Sequence, residues 1–228
     1  MKLLCLIIPV FLLSLCEFGG SVNKPINSFP IKKEKKAFVL DYDTLQWSDL
    51  GLLDSGIILD IRYATTNNFV EEKMYPCGRC FLRPKIARAI LKAQQQLQKK
   101  GWGLKIFDCY RPIDVQEKLW QKVPNASYVT PPRKGSMHNR GVAVDLTIVD
   151  SVGIERDMGT SYDFFGPEAH HNYALHSDEV KANRLLLRSL MESVGLSAIR
   201  TEWWHYSYRK GTYEISNMQW NCRENETE

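Results

Sequence analysis

The chain lacks an apolar run long enough to span a bilayer comfortably: its N-terminal run, Leu3 to Leu15, is thirteen residues and is interrupted by Pro9. No glycine fingerprint and no repeated β-α-β pattern appears, which argues against a doubly wound sheet. Charge of one sign is not in excess, with 30 basic and 26 acidic residues giving +4. Beyond Lys32-Lys33-Glu34-Lys35-Lys36 no basic stripe interleaved with aromatics occurs, so a nucleic-acid partner is not indicated. Cys77-Gly78-Arg79-Cys80 has no second Cys-x-x-Cys to complete a structural zinc site, and a redox pair is equally weakly supported.

What is present fits one domain. A chain of 228 residues with 44% hydrophobic content can bury one sizeable core and not two ample ones. Lys2 followed by the short apolar run reads as a signal peptide over residues 1–21, with Gly19-Gly20-Ser21 offering small residues for cleavage after Ser21. Lipid attachment at Cys16 is the rival reading, although Leu15 departs from the small residue usual before such a cysteine. Residues 22–36, with Pro, Asn, Ser and the lysine run, read as a flexible solvated linker, and 37–228 as the domain. The expected location is exported, periplasmic or cell-envelope. Of the four cysteines left after cleavage, Cys77, Cys80, Cys109 and Cys222, a disulfide among the first three is expected, with the full pairing open.

Periodicity supplies the elements. Ile86, Ile90, Ala93 and Leu97 share one helical face between Pro84 and Gly101, and Pro112 opens a helix through Lys122. A third helix is expected from Ser177 to Val194, closed by Gly195. Strands are expected at Ile57–Tyr63, Leu104–Phe107, Val142–Val149 and Trp203–Tyr208. The fold class is α+β, a single domain with a small, mainly antiparallel sheet and flanking helices.

Two short segments carry the chemistry. In Ser136-Met-His-Asn-Arg-Gly-Val-Ala-Val-Asp145, the alternation after Gly141 predicts a half-buried strand with Asp145 on the face opposite the valines. His138 lies seven residues earlier, an offset that an unbroken strand would misdirect and that a bulge or turn at Gly141 corrects. In Glu202-Trp203-Trp204-His205, a neutral imidazole and a spare carboxylate lie three residues apart. Each pair alone describes a hydrogen-bonded structural pair as well as a metal site. Together, two imidazoles, one carboxylate ligand and one free carboxylate are the inventory of a catalytic zinc site with an open position. His170, His171 and His176 do not make a second such site, since adjacent histidines point apart, and they read as part of a covering loop.

These segments resemble the zinc D-alanyl-D-alanine dipeptidases of the kind found in vancomycin resistance, within the larger group of zinc D,D-peptidases. The family pattern Ser-x-His-x-x-Gly-x-Ala-x-Asp is met by Ser136, His138, Gly141, Ala143 and Asp145, and Glu-x-Trp-His by Glu202, Trp204 and His205. Asp108-Cys109-Tyr110-Arg111-Pro112 and Met158-Gly159-Thr160-Ser161-Tyr162-Asp163 match two further signatures. The resemblance implies the hedgehog-like zinc D,D-peptidase fold. It implies one Zn2+ on His138, Asp145 and His205, Glu202 as general base and acid, and Arg111 facing the reacting carbonyl. Asp163, Ser136 and Asp108 complete the substrate-binding set: Asp163 for the substrate ammonium, Ser136 for the substrate or the ligand loop, and Asp108 as an orienting residue behind Arg111 or a ligand. Tyr63 to Phe69 would line the cleft. The implied activity is hydrolysis of a small D,D-dipeptide to two D-alanines. The alternatives are a D,D-carboxypeptidase acting on wall stem peptides and, against intact Glu202 and Arg111, a non-catalytic zinc-containing binding module.

Overall fold

Ala143–Asp150 (β5) is the strand around which the rest is arranged, and its seven residues from Ala143 to Val149 are all buried. In this computed structural model, which describes residues 40–223, β5 lies at the centre of a five-stranded sheet. The expected half-buried strand is thus corrected: with a strand on each side and packing on both faces, Ala143 and Thr147 are as sequestered as Val144 and Leu146. The proposed signal peptide, Cys16 and the linker lie outside the described residues.

In chain order the elements are β1 (Ser48–Asp49), α1 (Leu50–Leu53), β2 (Ile58–Leu59), β3 (Phe81–Leu82), α2 (Pro84–Gln98), β4 (Trp102–Asp108) and α3 (Ile113–Lys122). After β5 come α4 (Asp178–Ser193), β6 (Ser197–Ile199) and β7 (Glu202–Ser207). The sheet order is β2-β4-β5-β7-β6, antiparallel throughout except for the parallel β2–β4 edge, and β1 pairs β3 in a separate ribbon. The mixed α+β class with a mainly antiparallel sheet is as expected. The predicted strand Ile57–Tyr63 shrinks to two residues, because the chain turns into a 3-10 segment at Arg62–Ala64 that carries Tyr63 into the core.

The three long helices form where the apolar spacing places them. Pro84 opens α2, whose Ile86, Ile90 and Leu97 are at most 2% exposed, each worth about 1.5–3 kcal/mol of burial. Ser177 caps α4 by accepting the Val180 N–H at 3.2 Å. Helix α2 packs on β4 and α4 on β6 and β7.

Two disulfides bind the periphery to this frame. Cys80–Cys109 joins the segment before β3 to the end of β4, within the expected set, and Cys77–Cys222 ties down the C-terminal segment. Beside the latter, buried Arg79 takes Asp41 and Asp49 as carboxylate partners and donates to the Asn221 carbonyl. Trp220 packs against Tyr75 and Phe81, and Ser216 exchanges backbone hydrogen bonds with Asn139 and Ile113, bringing the C-terminal segment alongside the site loops.

Candidate active site

The sheet register brings the ligands together. Asp145 on β5 stands opposite His205 on β7, and on its other side opposite Asp108 of β4, past a bulge between Ile106 and Asp108. His138 arrives from a 3-10 turn, His138–Arg140, closed by Gly141 at φ 69. A Cβ at Gly141 would lie 2.3 Å from the Trp47 ring, so the turn requires glycine on both conformational and steric grounds. Gly141 therefore resolves the awkward offset by a turn rather than a bulge.

The donor atoms fit zinc. His138 Nδ1–H donates to the Cys109 carbonyl at 2.6 Å, which leaves Nε2 as the free acceptor. That Nε2 lies 3.4 Å from Asp145 Oδ1 and 3.1 Å from His205 Nδ1, and His205 Nδ1 lies 3.0 Å from Asp145 Oδ1. Tetrahedral zinc with bonds of about 2.0–2.2 Å sets its ligands roughly 3.3 Å apart. Burial would raise the Asp145 carboxyl, but His138 and His205 outweigh it and hold it well below the usual range; His138, which burial alone would lower, is raised by Asp145 and Asp108.

Glu202, at the start of β7, faces this trio with Oε2 3.9 Å from His205 Nδ1. Burial pushes its carboxyl up to about 7; His205 and Arg111 oppose the shift and Asp145 adds to it. Arg111 follows β4 and is clamped from behind: Nε and Nη2 donate to Asp108 Oδ2 at 3.2 and 2.6 Å, and Nη1 to Gln116 Oε1 at 3.1 Å. Its guanidinium lies 4.8 Å from the centre of the Tyr63 ring.

The cleft, of about 710 Å³, is lined by His138, Asp145, His205, Glu202, Arg111, Ser136 and Asp163 among others. Asp163 adopts φ 56 and accepts from the Tyr63 hydroxyl at 3.0 Å. Burial and the charge of Asp145 push its carboxyl well above the usual range, against Arg111 and Tyr63. Ser136 Oγ accepts the His138 N–H at 3.2 Å, steadying the ligand turn while facing the cleft. Asp108 does not line the cleft: it is fully buried, and its oxygens are taken by Arg111, the Tyr75 hydroxyl and the Cys109 N–H. Its position is that of the orienting residue, not of a substrate contact. Of the Tyr63–Phe69 stretch only Tyr63 and Phe69 reach the cleft wall, and Trp204 joins them while Trp203 is core. His170, His171 and His176 do not line it.

Three participants were not singled out from the sequence. Tyr162 donates to Asp145 Oδ2 at 3.1 Å, Gln116 braces Arg111, and Asn139 Nδ2 donates to the Arg111 carbonyl at 2.8 Å. Tyr162 and Asn139 sit inside the recognised motifs. Gln116 has only the weak signal of an amide on an otherwise apolar helical face beside Val115 and Leu119.

Comparison with known proteins agrees with this geometry. The profile of the family described as D-ala-D-ala dipeptidase matches residues 43–222. A D-alanyl-D-alanine dipeptidase of Escherichia coli (strain K12) is 33% identical over 181 residues, covering 79% of this chain and 94% of the relative. Relatives of the same name from Enterococcus faecalis and Enterococcus faecium are 31% and 32% identical, covering 66% and 71% of this chain and 85% and 90% of their own lengths. With the His-Asp-His group, the carboxylate beside it and this extent of similarity, the chain belongs to the D-alanyl-D-alanine dipeptidase family of zinc metallopeptidases.

Proposed function

We propose that the protein hydrolyses free D-alanyl-D-alanine to two D-alanines. The observation that carries this reading is a single cleft holding the His138, Asp145 and His205 donors, Glu202 and Arg111, with Asp163 on its wall. His138, Asp145 and His205 would hold the zinc, which when bound would lower the pKa of water toward about 7 and polarise the scissile carbonyl. Glu202 takes the proton of the attacking water and returns it to the leaving amine, a task suited to a carboxyl poised near neutrality. Arg111, fixed by Asp108 and Gln116, presents remaining donors to the developing oxyanion without reorganising, and loss of such a donor typically costs about 3–4 kcal/mol. Asp163 supplies the counter-charge for the substrate's ammonium, and an ammonium gives Asp163 the partner its own surroundings lack.

One observation favours a second reading: the cleft is larger than a dipeptide of two alanines needs, which suits a D,D-carboxypeptidase acting on longer peptides. We also infer export to the periplasm or cell envelope. The N-terminal apolar run and two disulfides, bonds that persist in oxidising compartments, support that location. The deciding experiment offers the zinc-loaded protein D-Ala-D-Ala and N-acetyl-D-Ala-D-Ala and follows D-alanine release. Strong preference for the free dipeptide is expected; comparable kcat/KM values would replace the dipeptidase reading with the carboxypeptidase.

A further inference from the structure

Away from the cleft, a small pocket of about 100 Å³ lies against α4, and every charged side chain lining it is basic: Lys181, Arg184 and Arg188, with His171 and His176 beside them. Arg184 is 4% exposed, yet its donors go only to main-chain carbonyls, those of Met158 at 2.7 Å and of His170 and Glu168 at 2.9 Å. Among the described residues it has no carboxylate partner, which is unusual because buried charges are ordinarily paired. Asp157 acts on Arg184 through space without an ion pair, its Oδ1 accepting the Gly159 N–H at 2.7 Å, and the other nearby carboxylates serve its neighbours: Glu192 takes Arg188 at 2.8 Å and Asp178 approaches Lys181 at 3.8 Å, both on exposed helix surface.

One polar atom of the lining, on His171, points the same way. His171 Nε2 is buried with no hydrogen-bond partner, and so is the hydroxyl of Tyr206, whose ring lies 6.2 Å from that of His171. Both groups feel the charges of Arg184 and Arg188. Burial and those charges hold His171 down to about 4, so it is neutral at pH 7 and able to donate from one nitrogen, and burial lowers Arg184 to about 10. Unused guanidinium N–H groups, an orphan imidazole nitrogen and a buried Arg184 with no carboxylate in contact with it together describe a site that can take an acceptor-rich negative group.

We propose that this pocket binds a small inorganic oxyanion, of which phosphate is the representative, between Arg184, Arg188, Lys181 and His171. The three carbonyls on Arg184 bracket residues 158–170, the segment that carries Tyr162 to Asp145 and Asp163 to the cleft. An anion seated on Arg184 therefore steadies the substrate-binding segment from behind, without touching the reacting groups.

The test uses the intact zinc-loaded protein, inorganic phosphate as probe and chloride at matched ionic strength as control. Calorimetry is expected to show saturable phosphate binding that weakens at least tenfold in the Lys181→Gln/Arg188→Gln double variant, which leaves Arg184 and its carbonyls in place. In NMR spectra the His171 ring resonances are expected to move with phosphate and not with chloride. Equal phosphate binding by the double variant would place the anion elsewhere, the zinc site included, and stationary His171 resonances would overturn the proposal as firmly. Neither outcome depends on which peptide the cleft hydrolyses.

Discussion

Tyr162 donates its hydroxyl proton to Oδ2 of Asp145, and thereby leaves Oδ1 directed at His138 and His205. The tyrosine ring is itself fixed, stacked on Phe107 at 4.9 Å and edge-on to Trp204. Hydrogen-bond partners behind metal ligands commonly contribute 10–100-fold to metal affinity. Tyr162→Phe keeps the ring and removes the hydroxyl, so zinc affinity is expected to fall by about tenfold with thermal stability little changed. Competition with a chelator of known affinity measures it, and an unaltered dissociation constant would show the contact to be idle.

Ligand and base separate by substitution. His138→Ala or His205→Ala removes a donor from a three-donor set and is expected to lose stoichiometric zinc. Glu202→Ala is expected to retain zinc and lose turnover by at least a hundredfold, because its carboxylate stands beside the donors and is not one of them. Metal content by elemental analysis alongside kcat decides; a zinc-free Glu202→Ala protein would make Glu202 a ligand.

The two disulfides predict different losses. Cys77–Cys222 closes a separation of 145 residues and, unlike Cys109, gives no hydrogen bond to a donor residue, so Cys77→Ser/Cys222→Ser is expected to lower unfolding stability by about 2–5 kcal/mol with zinc affinity unchanged. Cys109 lies between Asp108 and Arg111 and offers its carbonyl to His138, so Cys80→Ser/Cys109→Ser is expected to weaken zinc binding as well. Urea unfolding and chelator competition on both variants check the contrast. Equal zinc affinities in the two would remove Cys109 from the support of the site.

Helices α2 and α4 were legible because local spacing decides them: Ile86, Ile90, Ala93 and Leu97 can share one buried face only in a helix, and Pro84 and Ser177 mark its starts. The donors were legible for a related reason, since each lies in a short motif whose spacing suits a turn or strand end. What escaped depends on partners distant in sequence. Strands β1, β3 and β6 have two or three residues each, too few to show a period, and exist because neighbours offer edges. Both faces of β5 are buried because strands and helices close over it, which alternation in one strand cannot announce. Nor does anything near Cys222 specify Cys77, or anything near Gln116 specify Arg111. Asp108 was half legible: its i, i+3 pairing with Arg111 is local, but its complete burial is not.

The pH dependence follows from Glu202. Its carboxyl stands at about 7 where burial outweighs His205 and Arg111, and it works as a base only when ionised, so activity falls as pH drops through its pKa. A cation on the neighbouring donors favours the ionised form and moves that pKa down. The acid limb of kcat/KM for the zinc-loaded enzyme is therefore expected below pH 7. A pH–rate profile tests this, and a limb well above 7 would mean that another group limits the reaction.

Substrate length tests Asp163. Its carboxyl, raised by burial and by Asp145, gains from an ammonium placed beside it, and the Tyr63 hydroxyl that donates to Oδ2 fixes where that ammonium sits. Asp163→Asn keeps an acceptor for Tyr63 and removes the charge. Breaking a desolvated pair of this kind costs on the order of 2–5 kcal/mol, roughly thirtyfold to several thousandfold in specificity. The free dipeptide should therefore lose most of its kcat/KM in the variant. N-acetyl-D-Ala-D-Ala, which has no ammonium to lose, should change little from its low starting value, so the preference between the two narrows from the dipeptide side. Measuring kcat/KM for both compounds with both proteins separates this from general damage to the site, which would depress the two alike; an unaltered preference would mean that some other group on the cleft wall reads the amino terminus.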